Sequence, residues 1–198
     1  MEHKIDGSMV LVTGGARSGK STFAEKLAYA GGKKVIYLAT ARVEDDEMRE
    51  RVARHKSRRP SSVCTVEEPL DPHLVIQREG TVDTVILMDC LTLLLSNRIL
   101  LDLDQHGVVR QEEDRFADER LLKEAVERTL GYVKVLTEVA LKSPAAIVVV
   151  TNEVGMGLVP EYPLGRVFRD LSGRANQILA AVSEQVWLVV CGIPQRIK

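Results

Sequence analysis

Length, composition and charge already restrict what this chain can be. Its 198 residues are 45% hydrophobic but only 4% aromatic, and the formal net charge is −1. Such a chain can bury an aliphatic core in one domain, and its near-zero charge argues against a broad nucleic-acid-binding surface. No apolar run reaches the ~18 residues that a membrane span needs, and the first residues lack a signal-peptide core. We therefore expect a cytoplasmic protein.

The predicted elements alternate between short apolar strands and helices. After a polar stretch at residues 1–8, expected to be a disordered leader or a tag remnant, apolar runs predict strands at 9–13, 34–40, 63–67, 84–90, 145–151 and 185–191. Helical patterns lie at 20–30, 44–56, 70–79, 91–100, 117–142 and 161–184. Continuous hydrophobicity within the strands is typical of a parallel sheet covered on both faces. These features predict an α/β fold, a doubly wound, mostly parallel sheet in one domain spanning 9–198, with ligands at the carboxyl ends of its strands.

A glycine-rich loop between the first strand and the first helix fits the phosphate-loop pattern without a mismatch. In Gly14-x4-Gly19-Lys20-Ser21 the glycines let the backbone wrap a phosphate chain, and the helix N-terminus attracts the anion. Lys20 can reach the β- and γ-phosphates, and the Ser21 hydroxyl can bind Mg²⁺. A chance glycine-rich turn is the competing reading, but strand, loop and helix arrive here in the order that a P-loop NTPase-like fold requires. The predicted nucleotide-binding loop is Gly14, Gly15, Ala16, Arg17, Ser18, Gly19, Lys20 and Ser21.

Asp89 ends the buried strand predicted at 84–90 and follows four apolar residues. A carboxylate at that position can hold Mg²⁺ beside a phosphate loop, directly or through water. The alternative is that Asp89 caps the next helix, whose N-terminus falls near Thr92.

The three cysteines, Cys64, Cys90 and Cys191, have no metal-ligand spacing. Free thiols are therefore expected, and Cys90 and Cys191, which follow apolar runs, are interpreted as small buried hydrophobes.

A charged segment at residues 39–60 carries a histidine between arginines. Arg51, His55 and Arg59 are spaced by four, which places them along one edge of a helix, although Pro60 disfavours helical geometry at Arg59. Taken alone, the segment favours a solvated charged face over a catalytic site. Next to phosphate machinery, however, guanidiniums can bind phosphate oxygens, and a neutral imidazole is a competent nucleophile toward phosphorus.

Polar residues also follow other strands of the predicted sheet. Asn152 and Glu153 leave the strand at 145–151 and Glu67 ends the strand at 63–67, each at a carboxyl end where ligands bind. A plain polar turn explains Asn152 and Glu153 as well. The acidic stretch at 102–118 is interpreted as a solvated loop, with a mobile lid as its alternative.

The motifs carry a specific resemblance in their order. GGARSGKS, ATxxxxDDEMxxR continuing into HKxxRP, and TNEVGMGxVP resemble the bifunctional adenosylcobinamide kinase/adenosylcobinamide-phosphate guanylyltransferase family from about Met9 to the C-terminus. The resemblance implies phosphorylation of adenosylcobinamide by ATP or GTP. It further implies transfer of GMP from GTP to the resulting phosphate, with release of pyrophosphate.

The resemblance also assigns site residues and partners. The guanylyl group is carried on a histidine of the HKxxRP segment, here His55, while Lys20 acts on the phosphates and Mg²⁺ sits on Ser21 and near Asp89. A homo-oligomer, in this family a trimer, is implied. Further nucleotide contacts implied by the resemblance are Thr40, Ala41, Arg42, Lys56, Ser57, Arg58, Arg59 and Glu67.

Two rival functions use the same phosphate loop. A small-molecule kinase would need the loop and Asp89 but no chemistry at His55. A nucleotide-dependent regulatory switch usually carries an [NT]KxD base-reading motif, which is absent from this sequence.

Overall fold

A computed structural model of the chain describes residues 9–42, 59–60, 62–107 and 119–198. The predicted leader at 1–8 and the predicted helix at 44–56 lie outside the described residues. The strands are β1 (Met9–Gly14), β2 (Lys34–Ala39), β3 (Cys64–Glu67), β4 (Thr84–Asp89), β5 (Ala146–Val150), β6 (Gln185–Val190) and β7 (Ile193–Arg196). The helices are α1 (Lys20–Tyr29), α2 (Pro72–Glu79), α3 (Leu91–Gln105), α4 (Glu119–Lys142) and α5 (Pro163–Val182).

All seven strands form one sheet in the order β3-β2-β4-β5-β1-β6-β7, parallel except for β7. The register aligns the carboxyl ends of the central strands, because Val150 of β5 is level with both Val12 of β1 and Asp89 of β4. Loops that leave these strands therefore meet at one edge of the sheet. The predicted doubly wound, mostly parallel α/β architecture is confirmed.

Both faces of the central strands are buried, as their continuous hydrophobicity predicts. In β1, Leu11 packs into a core with α2, α3, α4 and α5, whereas Val10 and Val12 face α1 on the other side. Strands β4 and β5 alternate in the same way. Within the described ranges no helix is long and apolar enough to cross a membrane.

Six predicted strands are confirmed to within a residue or two, but the sequence analysis missed β7. A two-residue turn joins it to β6, with positive φ at both Cys191 (52°) and Gly192 (79°), as in the tightest hairpins. Pro194 is tolerated in β7 because this strand lies at the sheet edge. The interpretation of Cys191 as buried was wrong, since the turn exposes it; Cys90 is buried as predicted, and all three thiols are free.

The helices were predicted less accurately at their ends. Helix α3, predicted at 91–100, continues to Gln105, so the predicted loop at 102–118 is helical where it begins. Leu103 continues the apolar stripe into the core, which outweighs the polar neighbours on either side. Residues 108–118 lie outside the described residues, so the choice between loop and lid stays open.

Candidate active site

The phosphate loop joins β1 to α1 in a backbone conformation that needs its glycines. A Cβ added to Gly14 would lie 2.5 Å from the Val189 carbonyl oxygen and 2.7 Å from Ser18 Oγ. Gly19 has φ 93°, in the left-handed region, and its added Cβ would lie 3.1 Å from Gly192 Cα. The loop is thus packed tightly against the β6–β7 turn.

Hydrogen bonds fix the loop to its surroundings. The Gly192 amide donates to the Ser18 carbonyl at 2.8 Å, and the Phe23 amide donates to the Gly19 carbonyl at 3.0 Å as α1 begins. Lys20 is only 9% exposed, and its ammonium donates to the Gly15 carbonyl at 3.1 Å. The lysine therefore lies folded over the loop.

Asp89 faces the same edge of the sheet from β4. Its Oδ2 accepts a hydrogen bond from the Tyr37 hydroxyl at 2.8 Å. The N-cap of α3 is Cys90, which makes no side-chain capping bond, so the structure does not support the alternative that Asp89 caps this helix. Burial, reinforced by the Asp89 charge, raises the pKa of the Tyr37 phenol far above its ordinary value. The phenol stays protonated and remains the donor in this pair.

Arg59 lies against the outer side of Tyr37. Its guanidinium carbon lies 3.2 Å from the centre of the Tyr37 ring, a cation–π contact, and Nη1 donates to Thr65 Oγ1 at 3.3 Å. Nε lies 3.7 Å from Glu25 Oε1 in α1, and the arginine side chain is 8% exposed. These contacts attach Arg59 to the sheet and to the first helix.

Glu153 reaches this edge from the loop after β5. Its Oε1 accepts hydrogen bonds from Thr13 Oγ1 at 3.2 Å and from Asn176 Nδ2 at 3.0 Å, and its backbone amide donates to the Gly14 carbonyl at 3.1 Å. Asn176 is also held by Thr151, whose hydroxyl donates to its Oδ1 at 2.7 Å. The carboxylate is thereby positioned by β1 and α5 together.

These groups converge on one cleft of about 520 Å³ at the carboxyl edge of the sheet. It brings together the Lys20 ammonium, the Arg59 guanidinium, the Ser21 hydroxyl and the carboxylates of Asp89 and Glu153. The two cationic groups suit a polyphosphate, and the oxygen donors suit a bound cation. The lining residues are Ala16, Arg17, Lys20, Ser21, Tyr37, Ala41, Arg59, Asp89, Cys90, Leu93, Asn152, Glu153 and Val154.

Several residues predicted to contact the nucleotide are not among those that line this cleft. Thr40 is fully buried, and its hydroxyl donates to the Cys90 carbonyl at 2.7 Å while accepting from the Cys90 amide at 2.8 Å. Its side chain joins the ends of β2 and β4 rather than facing the cleft. Glu67 ends the edge strand β3, and neither it nor Arg42 lines the cleft. His55, Lys56, Ser57 and Arg58 lie outside the described residues.

Tyr37 was missed because it reads as one more buried residue of an apolar strand. Its partner Asp89 is 52 positions away in the chain, so no local sequence pattern predicts this hydrogen bond. An aromatic hydroxyl near the carboxyl end of a strand was the available signal. Asn176, on α5, likewise becomes a partner of Glu153 only through the fold.

The sequence matches one family over residues 10–197, described as cobinamide kinase / cobinamide phosphate guanyltransferase. The chain belongs to this family. It is therefore a nucleotide-binding P-loop enzyme with the two activities that the resemblance predicted. The family description includes guanylyl transfer. Neither rival function, a kinase alone or a regulatory switch, accounts for that activity.

Curated relatives cover nearly the whole chain. The bifunctional adenosylcobalamin biosynthesis proteins CobU of Salmonella typhimurium and of Escherichia coli are 42% and 40% identical over 190 residues, 96% of this chain and 99% of theirs. The corresponding CobP protein of Pseudomonas aeruginosa is 38% identical over 188 residues, 95% of this chain and 96% of its own. Among solved structures, a KaiC-like protein of Pyrococcus horikoshii OT3 covers 92% of this chain and 71% of its own at 18% identity and a TM-score of 0.43. That likeness is too distant to bear on function.

Proposed function

We propose that this cleft binds the nucleotide of the kinase reaction, ATP or GTP, and that GMP passes from GTP to adenosylcobinamide phosphate through a guanylyl group on His55. Lys20 and the loop amides hold the triphosphate. Transfer through the histidine proceeds in two displacements. His55 nitrogen forms a bond to the α-phosphorus as the α–β bridging bond breaks and pyrophosphate leaves. A phosphate oxygen of the cobinamide substrate then displaces GMP from the histidine.

The position of Arg59 carries the histidine assignment. Arg59 lines the cleft beside Tyr37, and His55 precedes it by four residues in the chain. Even a fully extended chain of four residues spans at most about 14 Å. The His55 Cα therefore stays within that distance of an arginine that already lies in the wall of the phosphate-loop cleft.

The oxygen donors of the cleft fit Mg²⁺. The Ser21 hydroxyl and the Asp89 carboxylate line the same cavity, and Mg²⁺ prefers one or two protein oxygen ligands together with substrate phosphates and water. Among the described residues, the Tyr37 hydroxyl bonds to Oδ2 of Asp89 and no side chain bonds to Oδ1, so Oδ1 is the oxygen that we propose for the ion. When bound, Mg²⁺ would neutralise developing charge on the phosphates.

Positively charged side chains of the protein can also offset the negative charge that develops on the transferring and leaving phosphates. Lys20 lies at the loop, where it can follow the β- and γ-phosphates. Arg59 contributes a guanidinium suited to bidentate contact with phosphate oxygens. These side chains, with Arg51 on the His55 segment, are proposed to stabilise the leaving pyrophosphate.

We also propose a homo-oligomer, a trimer by resemblance, working in the cytoplasm as a single catalytic domain. The loop after β5 exposes several apolar side chains together, which supports a protein contact there. The exposed fractions are 78% for Met156, 95% for Leu158, 62% for Val159 and 60% for Tyr162.

Incubation of the purified protein with Mg²⁺ and GTP labelled at the α-phosphorus, without corrinoid, tests the histidine assignment. Acid-labile, base-stable label is expected on the wild type and is expected to vanish in His55→Ala. His106→Ala is the matched control, since His106 is exposed and bonds to Asp102 on α3, and it should label normally. Label that persists in His55→Ala, or an unlabelled wild type that still phosphorylates cobinamide, contradicts the proposal.

A further inference from the structure

We propose that Glu153 is the catalytic base of the kinase step, accepting the proton of the cobinamide hydroxyl as that hydroxyl attacks the γ-phosphorus. This assignment rests on the proposed binding of the nucleotide in the cleft. It gives a chemical role to a residue that the sequence alone explains equally well as part of a polar turn.

Glu153 is held in a way that leaves one carboxylate oxygen available. Both side-chain hydrogen bonds that it accepts from the described residues, from Thr13 and from Asn176, end on Oε1. Within the described part of the chain no hydrogen bond reaches Oε2, and Glu153 lines the proposed nucleotide cavity. A fixed carboxylate with one unengaged oxygen suits a proton acceptor, because little reorganisation is needed when the proton arrives.

The sheet places this carboxylate between the two other elements of the site. Strand β5 lies between β4, which carries Asp89, and β1, which leads into the phosphate loop. The Glu153 amide is bonded to the Gly14 carbonyl, so the carboxylate is tied to the start of the loop that cradles the phosphates. We infer that a hydroxyl attacking the terminal phosphate in this cleft lies beside Glu153, which is one of its lining residues.

The other carboxylate of the cleft is less suited to the task. Asp89 accepts the Tyr37 hydroxyl and is the oxygen ligand proposed for Mg²⁺. Among the lining residues within the described part of the chain, Asp89 and Glu153 are the two carboxylates. We therefore assign metal binding to Asp89 and proton transfer to Glu153.

The kinase reaction needs such a group and the guanylyl transfer does not. In the kinase step the substrate oxygen forms a bond to the γ-phosphorus, the β–γ bridging bond breaks, the nucleoside diphosphate leaves with the electron pair, and the hydroxyl proton passes to Glu153 Oε2. In guanylyl transfer the nucleophiles are an imidazole lone pair and then an ionised phosphate oxygen. Neither has a hydroxyl proton to lose, so a base at Glu153 should affect one activity only.

Glu153→Gln separates these roles, because the amide keeps an oxygen that can accept from Thr13 and Asn176 but cannot take a proton. We expect the kinase kcat to fall by about 10²- to 10⁴-fold, the range for loss of a general base. The nucleotide KM, the melting temperature, the GTP-dependent label and guanylyl transfer to supplied cobinamide phosphate should stay within about twofold of wild type. Glu184→Gln, an exposed acid just before β6 at the opposite edge of the sheet, is the matched control and should leave both activities unchanged.

Two results would overturn the assignment. Equal losses in kinase and guanylyl transfer would mean that Glu153 holds the nucleotide or the ion shared by both reactions, and an unchanged kinase kcat would leave it a structural hydrogen-bond acceptor. The histidine proposal fails separately, because wild type without label refutes His55 while the kinase rates of wild type and Glu153→Gln still decide the base.

Discussion

Replacement of Thr40 by valine distinguishes a structural residue from a nucleotide contact. The resemblance implied that Thr40 touches the nucleotide, whereas the structure buries it completely with its hydroxyl bonded to both backbone groups of Cys90. Valine has nearly the same shape as threonine but no hydroxyl. Thr40→Val should therefore destabilise the protein without a matching rise in the nucleotide KM.

The two hydrogen bonds differ in what their loss costs. The Cys90 carbonyl also accepts a hydrogen bond from the Leu94 amide at 3.2 Å, so it keeps a partner in Thr40→Val. Losing the bond from the Thr40 hydroxyl should therefore cost about as much as an ordinary hydrogen bond, about 0.5–1.5 kcal/mol. The Cys90 amide has its bond to Thr40 Oγ1, and a buried donor left unsatisfied costs about 1–3 kcal/mol. We therefore expect Thr40→Val to lower the free energy of unfolding by about 1.5–4.5 kcal/mol.

Urea unfolding at a fixed protein concentration measures this loss, because assembly would otherwise shift the apparent stability. Thr40→Ser is the control, since it keeps the hydroxyl and removes one methyl group, at a cost of about 1 kcal/mol. If Thr40→Val is no less stable than Thr40→Ser, the hydrogen-bond argument is wrong. A large rise in the nucleotide KM at unchanged stability would instead support Thr40 as a nucleotide contact, as the resemblance implies.

Two further predictions concern the loop and the thiols. Gly14→Ala should lower the melting temperature by several degrees and weaken nucleotide binding, because its Cβ would lie 2.5 Å from a β6 carbonyl oxygen. Gly15→Ala is the control and should melt like wild type, because its Cβ would meet nothing within 4 Å. Equal melting temperatures of the two variants in a thermal scan would refute this. At pH 8 a chromogenic disulfide reagent should react rapidly with Cys64 and Cys191, which are exposed, and with Cys90 only after unfolding. Burial, aided by the Asp89 charge, raises the pKa of the Cys90 thiol to about 11, so rapid reaction of three thiols in the native protein would contradict the structure.

The sequence allowed prediction of those features that follow from local patterns. Apolar runs located six strands because each central strand is buried on both faces, and the phosphate loop was evident because its residue types must occur in consecutive order. Asp89 stood out as a carboxylate directly after buried residues. Each of these signals lies within about ten residues of chain.

The features that were missed depend on distant contacts or on small differences in local energy. The Tyr37–Asp89 and Asn176–Glu153 pairs join strands and helices far apart in sequence. Strand β7 has an edge proline and follows a Cys-Gly turn, whereas Asn-Gly is the commoner signal for such a turn. The burial of Thr40 follows from where β2 and β4 end beside each other, which residue type alone does not reveal.

The strand order explains why one cleft can accommodate both a phosphate chain and a cation. Strands β1 and β4 are separated by β5, so their axes are two strand spacings, or about 10 Å, apart. Lys20 and Asp89 approach the cleft from the two sides of that gap, and the residue that enters it from between them is Glu153. Both side chains line the one cleft although the strands that lead to them are not neighbours in the sheet. The intervening strand β5 leads into the loop that supplies Glu153, the carboxylate that we propose to receive the proton.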